Sequence, residues 1–565
     1  MRCFFTSFTL PLLLSGFVLT AHSAPRVPTS ISDNGLIYCT HSTGFSFNPQ
    51  TVDVGTSMNM VAEQIYNKLF EIKNNQRKEV SGVLAKHYRL SADRKTLMIE
   101  LRKGVKFHQT AWFTPTRELN ADDVVFSLNR VLGRLKGFPT LEKTTHTTSN
   151  NPQYRIYYDF AKENRYPYFD SIDFDKKIKA VTAVNPYLVK IELFTPDASI
   201  LEHLASQYAV ILSQEYAQQL STDDNIAQLD TLPIGTGAYQ VDAYFRNQYV
   251  RLKRNTDFWG KPAHIENIVI DLSTSHSGRL EKMLNNECDI MAYPEPSQIN
   301  NLLRNRRFHA AKIEGMNLAF LAFNVHQSAV SDVATRRAIA QAINRKRIVE
   351  RIFFNAATVA NSIIPPSSWA AQFGLSQFHY DYAPDKAKTA LSDKHLSLNF
   401  WVLTDNRVYN PSPIKMAEII RYDLRQAGVQ VNMRYIQRTE FEHLIEKDEA
   451  NYDIILGGWL TGSLDPNGFM QPILGCSSSA HSNNVSNWCN RTFDMLLSDA
   501  LKSHALESRA RNYELAQRLA LHELPLIPIA NADRIMLYNK RVESLKMQPL
   551  GSIQFSELTI KRKGN

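Results

Sequence analysis

Between residues 396 and 470 the chain switches back and forth between two hydrophobic periods. That alternation restricts it to a parallel sheet with helices on its faces. Leu396, Leu398, Phe400 and Val402 recur at every second position, the period of a strand. Met416, Ala417, Ile420 and Leu424 follow at helical spacing, and the helix is expected to stop at Gly428. Val429, Val431 and Met433 begin a second strand; 440–447 reads as a second helix and 452–456 as a third, apolar strand. Such alternation builds parallel sheets, in which ligands sit beyond the carboxyl ends of the strands. Two loops leave from those ends, one carrying Arg407 and Tyr409, the other Trp459, Gly462, Ser463 and Asp465. Arg407 and Asp465 are therefore expected on one rim, beside glycine-rich backbone.

The rest of the chain is mixed α/β without repeats. Residues 35–39, 96–101, 105–107 and 187–194 read as strands, with 96–101 and 105–107 paired. Residues 58–70 and 335–348 read as helices, the second with Ile339, Ala342 and Ile343 on one face. Asn120 is positioned to cap a helix whose first turn carries Asp122 and Asp123. Gly235 and Gly237 permit a tight turn ahead of a strand pair over 239–252. Residues 137–167 are polar and broken by Pro139, Pro152 and Pro167, as in a long surface segment.

The first residues set the compartment. Arg2, an apolar run over 8–19 and the small-residue segment Ala21-His22-Ser23 have the three-part layout of a secretory signal cleaved near residue 23. The run is shorter than the roughly 20 residues a membrane anchor needs. The remaining 540 or so residues exceed what one core serves, so two to four domains are expected. Cys3 leaves with the signal, and Cys39, Cys288, Cys476 and Cys489 remain in an oxidising compartment. Four cysteines allow three pairings. Cys476 and Cys489 close a short polar loop, and pairing those leaves Cys39 with Cys288; four free buried thiols are the alternative.

Net charge is +9, falling to +8 once Arg2 is removed. Residues 291–355 hold ten Lys/Arg against four Asp/Glu. Arg304, Arg306 and Arg307 form one knot, and Arg345, Lys346 and Arg347 lie in another. This is either a solvated helical face or a patch for an anionic partner such as nucleic acid or lipid headgroups. No nucleophile turn, phosphate loop or zinc-protease motif occurs, and the 16 histidines are dispersed. Neither catalysis nor a bound metal or cofactor is expected.

Several segments in fixed order carry a resemblance. They are Asn120-Ala-Asp-Asp-Val-Val-Phe-Ser127, 233–239, Trp259-Gly-Lys-Pro262, 315–324 with Asn317, and the helix over 335–348. Together they resemble family 5 solute-binding proteins, the oligopeptide- and dipeptide-binding components of bacterial ABC importers. Phe113-Thr-Pro-Thr-Arg117 and the four cysteines place the likeness nearest the Sap-type branch, linked with antimicrobial peptides. The resemblance implies an α/β, type II periplasmic-binding-protein fold, with three domains in two lobes around a ligand cleft. Domain I would comprise 24–66, 211–290 and 521–565, domain II 67–210, and domain III 291–520. Disulfides Cys39–Cys288 and Cys476–Cys489 are implied as well.

By the same likeness, a periplasmic, monomeric protein would bind a peptide and deliver it to a membrane permease with its ATPase subunits. Arg407 would hold the ligand carboxylate, with Tyr409, Asn317, Trp459, Gly462, Ser463 and Asp465 around it. Relatives carry an Asp for the ligand ammonium where this chain has Gly462. Either Asp465 substitutes, or the ligand has no free amine there. The competing expectation is a periplasmic carrier of an anionic ligand, such as haem or nucleic acid, on the basic 304–351 region.

Overall fold

The computed structural model describes residues 35–40, 46–51, 63–73, 79–135, 166–223, 225–272, 275–477, 483–543 and 545–561. The signal segment and residues 137–165 of the polar stretch lie outside them, as does the first part of the helix expected at 58–70. Among the described residues no helix is long and apolar enough to cross a membrane. No group of three or more His, Cys, Asp or Glu there is placed to hold a metal ion.

The strand Leu526–Asn539 organises the architecture. Its first half pairs antiparallel with Asn317–Phe323 and Ala357–Val359. Its second half pairs with Ile290–Ala292 and Phe308–Glu314. One half of the large sheet thus continues through Ile454–Leu460, Ser397–Leu403 and Gln430–Ile436. The other continues through Leu36–Cys39, Asn267–Asp271, Tyr249–Arg254 and Tyr239–Phe245. A separate four-stranded antiparallel sheet is built from Ala85–Leu90, Thr96–Leu101, Leu188–Leu193 and Ile178–Asn185. The result is the two-lobed α/β architecture of a type II binding protein.

Two antiparallel segments, 314–317 and 530–533, cross side by side between the halves of the large sheet. Asn317 fills the gap in the ladder there. Its side-chain NH2 donates to the Ala532 carbonyl (2.8 Å) and its oxygen accepts from the Ala532 N–H (2.9 Å). The Asn531 side chain returns a bond to the Asn317 carbonyl (2.7 Å). Asn317 is fully buried, with both polar atoms of its side chain engaged by Ala532.

Most of the expected elements occur. The 396–456 alternation resolves into Ser397–Leu403, Pro413–Gln426, Gln430–Ile436, Arg438–Glu446 and Ile454–Leu460. The Ser397–Leu403 strand runs parallel to the strands on either side. Gly428 follows the helix at φ 84°, a left-handed position suited to glycine. Asn120 caps Ala121–Val131 in a full capping box with Asp123. Gly235 and Gly237 are needed for a different reason than a turn: a Cβ on Gly235 would run into the Ile65 backbone and the Tyr66 ring, and one on Gly237 into the Gln64 and Ile65 backbone. His108 seals the same junction, its buried Nε2 2.9 Å from the Gly237 carbonyl. Burial holds its pKa down at about 4, so it is neutral.

Three expectations fail for local reasons. The helix expected to reach residue 70 ends by 65, where the Ile65 carbonyl accepts from the Gly237 N–H at 2.8 Å instead of from residue 69. Residues 105–107 do not pair with 96–101, whose edges are taken by 85–90 and 188–193; Lys106 bridges Glu118. The 335–348 helix is broken. Val333–Ala342 ends as Ile343 turns extended, and Asn344 caps a new turn by accepting from the Arg347 N–H. Asp423 fixes that break by accepting from the Asn344 N–H at 3.0 Å.

Both cysteine pairs are bonded. Cys39–Cys288 ties two neighbouring parallel strands (Cα separation 6.0 Å), and Cys476–Cys489 closes its loop (4.5 Å). Beside the first pair, Arg541 reaches the buried Asp289 carboxylate at 2.8 Å, which also accepts from the Ile37 N–H.

Asn317→Ala would leave two buried backbone groups of Ala532 unsatisfied, each worth about 1–3 kcal/mol. Urea unfolding is expected to show a loss of about 2 kcal/mol or more, with no loss of ligand affinity beyond that of the folded fraction.

Candidate functional site

The loop between Ser397–Leu403 and Pro413–Gln426 is held by a tight turn in which Arg407 and Asn410 exchange backbone hydrogen bonds at 3.0 and 2.9 Å. Asp405, a candidate partner for Arg407, caps the neighbouring helix by accepting from the Arg438 N–H at 3.0 Å. The turn brings Arg407 beside Arg438, which opens the helix after the adjacent parallel strand. Tyr409 is buried against Gly458, where any side chain would collide with its ring. Trp459 and Leu460, at the end of their strand, complete this wall.

The opposite wall comes from the other lobe: Pro167, Tyr168, Ser171 and Tyr208. Tyr168 and Tyr208 stack with ring centroids 4.5 Å apart and planes 22° from parallel. The two walls face each other across a narrow cleft. It presents two guanidinium groups on one side and stacked aromatic rings on the other.

Arg407, Tyr409 and Trp459 meet in this cleft, on the rim where strand order puts them. Gly462 lies beneath the stack: a Cβ there would sit 2.8 Å from Tyr208 and 3.3 Å from Tyr168. An aspartate does not fit this position unless the rings move. Ser463 is buried, its hydroxyl donating to Glu202 at 2.9 Å and accepting from the Asp465 N–H at 3.0 Å.

Asp465 does not line the cleft. It is fully buried, paired with Arg509, 2.8 Å from the Tyr513 hydroxyl, and accepts from the Asn467 N–H at 2.9 Å. Withdrawing it to meet a ligand ammonium would strand Arg509, a loss of about 3–5 kcal/mol. A charged hydrogen bond to the ligand returns only about 1.5–3 kcal/mol. Asp465 is thus committed to holding its own turn.

The basic patch separates in the same way. Arg304, Arg306 and Arg307 are exposed at the end of Pro296–Leu303. Lys346 is exposed too, but Arg345 is buried and donates to the Ala360 and Pro528 carbonyls. Arg347 pairs with Asp423. The second knot is therefore partly core.

Sequence reading missed Arg438, Tyr168, Ser171 and Tyr208. Arg438 was legible, because it follows a parallel strand at its carboxyl end, as Arg407 does. The aromatic wall was not: it lies over 190 residues from the Arg407 loop, and nothing in its spacing points across the cleft.

Gly462→Ala is expected to destabilise the protein by about 1–3 kcal/mol through overpacking against the stack. Adding Tyr208→Ala should make the two changes cost less together than their sum. A double-mutant cycle of unfolding free energies measures this, and strict additivity would contradict the packing described.

Known proteins match this architecture over nearly its full length. The model of bacterial extracellular solute-binding proteins, family 5, matches residues 79–481. "Peptide transport periplasmic protein SapA" of Haemophilus influenzae is 55% identical over 98% of both chains. Its namesake in Salmonella typhimurium is 37% identical, covering 95% of this chain and 94% of that one. The crystal structure of a dipeptide-binding protein from Pseudoalteromonas sp. SM9913 in complex with Met-Leu superposes with a TM-score of 0.79 at 33% identity. It covers 93% of this chain and all of that one. With its two lobes and a cleft between them, this chain belongs to the bacterial extracellular solute-binding proteins of family 5, which bind solutes and do not catalyse.

Proposed function

We propose that the protein is the periplasmic substrate-binding subunit of a peptide ABC importer, exported by a signal cleaved near residue 23. It takes up a peptide between its lobes and passes it to a membrane permease, whose partner subunits hydrolyse ATP. The observation that carries this reading is the pairing of Arg407 and Arg438 opposite the Tyr168–Tyr208 stack in one cleft. Relatives named for peptide transport, and one solved with Met-Leu, support it.

Arg407 is the anchor for a ligand carboxylate, which its planar guanidinium can receive through two parallel bonds. Arg438 adds a second positive charge. Tyr409, Trp459 and the opposing tyrosines offer apolar faces to side chains, so the demand for particular residues is loose. None of the described residues lining this cleft is acidic: Gly462 has no side chain, Asp465 is engaged with Arg509, and Asp405, just beside the cleft, already accepts from the Arg438 N–H. The ligand is accordingly a peptide whose amino terminus lies outside this cleft, or one lacking a free amine. Cationic antimicrobial peptides fit only carboxylate-first, since two arginines and a net charge of +8 oppose them.

An anionic-polymer carrier using the 304–351 region has less behind it. Arg345 is consumed by core carbonyls and Arg347 by Asp423.

Arg407→Ala should weaken binding of carboxylate-terminated peptides about 10- to 100-fold, the loss of a charged hydrogen-bonded pair. C-terminal amidation of the peptide should weaken wild type equally and leave the variant unaffected. Isothermal calorimetry with a panel from dipeptides to octapeptides tests both. Nanomolar dipeptide binding, or an Arg407→Ala variant of full affinity, would overturn the proposal.

A further inference from the structure

Beside the ligand cleft the lobes meet along a polar seam. The Ala198 N–H donates to the Leu501 carbonyl at 2.8 Å. Arg94 donates to the carbonyls of Lys502 and Ser503, each at 3.2 Å. The Ser477 hydroxyl donates to Asp173 at 3.2 Å. These contacts join backbone or surface groups that water can replace when the lobes part.

One contact differs in kind. Glu202, on the short helix Ile200–Ala205, sends its carboxylate across the seam into the turn that follows Gly462. One oxygen accepts from both the Ser463 hydroxyl and the Leu464 N–H, each at 2.9 Å. Those donors belong to the turn that carries the buried Asp465 and lies under the Tyr168–Tyr208 stack. Closing the lobes therefore brings two carboxyl groups together at one turn, with one guanidinium, Arg509, to serve both.

We propose that Glu202 is a positioning residue that locks the lobes together at the 461–465 turn, and that closure takes up a proton there. This concerns closure and not the identity of the ligand, so it stands or falls apart from the peptide reading.

The groups facing Glu202 can be named from every side. Asp465 on the turn opposes its charge, and Arg509 on Leu506–Glu523 partly offsets that. The Tyr168 and Tyr513 hydroxyls stay protonated, because burial raises both well above the usual phenol range. His203 is held between Tyr168 and Ser199, each 3.0 Å away. Burial, with Lys177 nearby, lowers it to about 4, so it remains neutral through the range that matters. Asp197 is locked to Lys177 and pushed well below the usual carboxylate range.

Desolvation between the lobes, and then the Asp465 charge, raise the Glu202 carboxyl from 4.5 to about 7. In the parted lobes it faces water at its ordinary value. The sign follows by linkage. Above about pH 7 the carboxylate is charged in both states and closure bears the whole cost of burying it. Below about 4.5 it is neutral in both and the cost is gone. Between those limits closure becomes easier as pH falls, by a factor on the order of a hundred across the window. The turn under the ligand cleft would thus grip harder in an acidic compartment and release toward neutrality.

The test needs no ligand. Spin labels at Lys95→Cys and Glu507→Cys, exposed positions in opposite lobes, report the gap by pulsed dipolar spectroscopy between pH 7.5 and 5. The short-distance population should grow as pH falls in the otherwise wild-type chain. Glu202→Gln keeps an acceptor for Ser463 and Leu464 but has no titrating charge, so its distribution should match the low-pH form at every pH. Glu202→Ala, which removes the lock itself, should shift toward the long distance throughout. A wild-type distribution that does not respond to pH, or a Glu202→Gln variant that responds as wild type does, would sink the proposal. Circular dichroism of each variant separates opening from unfolding.

Discussion

The molecule depends on a place where two strands change allegiance. Leu526–Asn539 gives its first half to one half of the large sheet and its second half to the other, and 308–323 runs back beside it. Between Glu314 and Asn317 the backbone ladder lapses. The Asn317 amide replaces it, satisfying both the donor and the acceptor of Ala532. Buried backbone polar groups demand partners. A side chain of amide geometry at this point satisfies the donor and the acceptor together. Arg407, Tyr409, Arg438 and Trp459 are carried by one of the two sheet halves that meet at this crossing.

A second theme is how charge is spent. The chain is basic, yet several of its arginines are not available to an anion. Arg345 and Arg336 serve backbone carbonyls, Arg347 serves Asp423, Arg509 serves Asp465 and Arg541 serves Asp289. Each sits where an unpaired partner would be costly. Sequence counts these as surface charge; the fold uses them as interior braces. Arg407 and Arg438 line the cleft, because each follows the carboxyl end of a parallel strand; Arg438 also lies 3.6 Å from Glu442 on its own helix.

The cleft is asymmetric for a steric reason. Gly462 lets the Tyr168–Tyr208 stack settle onto the turn, filling the space that a side chain at 462 would take. A side chain at 462 and the stack exclude one another. Glu202 then enters the same turn from the opposite lobe, bonded to Ser463 and Leu464 rather than lining the cavity. This rim presents cations and rings, and Glu202 is one of several groups that join the lobes beside it.

The sequence by itself determined whatever depends on neighbours a few residues apart. The alternation over 396–456, the Asn120 cap, the stop at Gly428 and the rim position of Arg407 all follow from periodicity and local backbone chemistry. Only the tertiary structure decided which polar groups would be consumed. Asn317 and Asp465 have the right chemistry for a ligand site, and Arg345 for a patch. Long-range partners at 532, 509 and 528 take them first. Nor could pattern show the aromatic wall or Glu202. Their roles come from two lobes being pressed together, and a contact between residues 260 positions apart leaves no period in the chain.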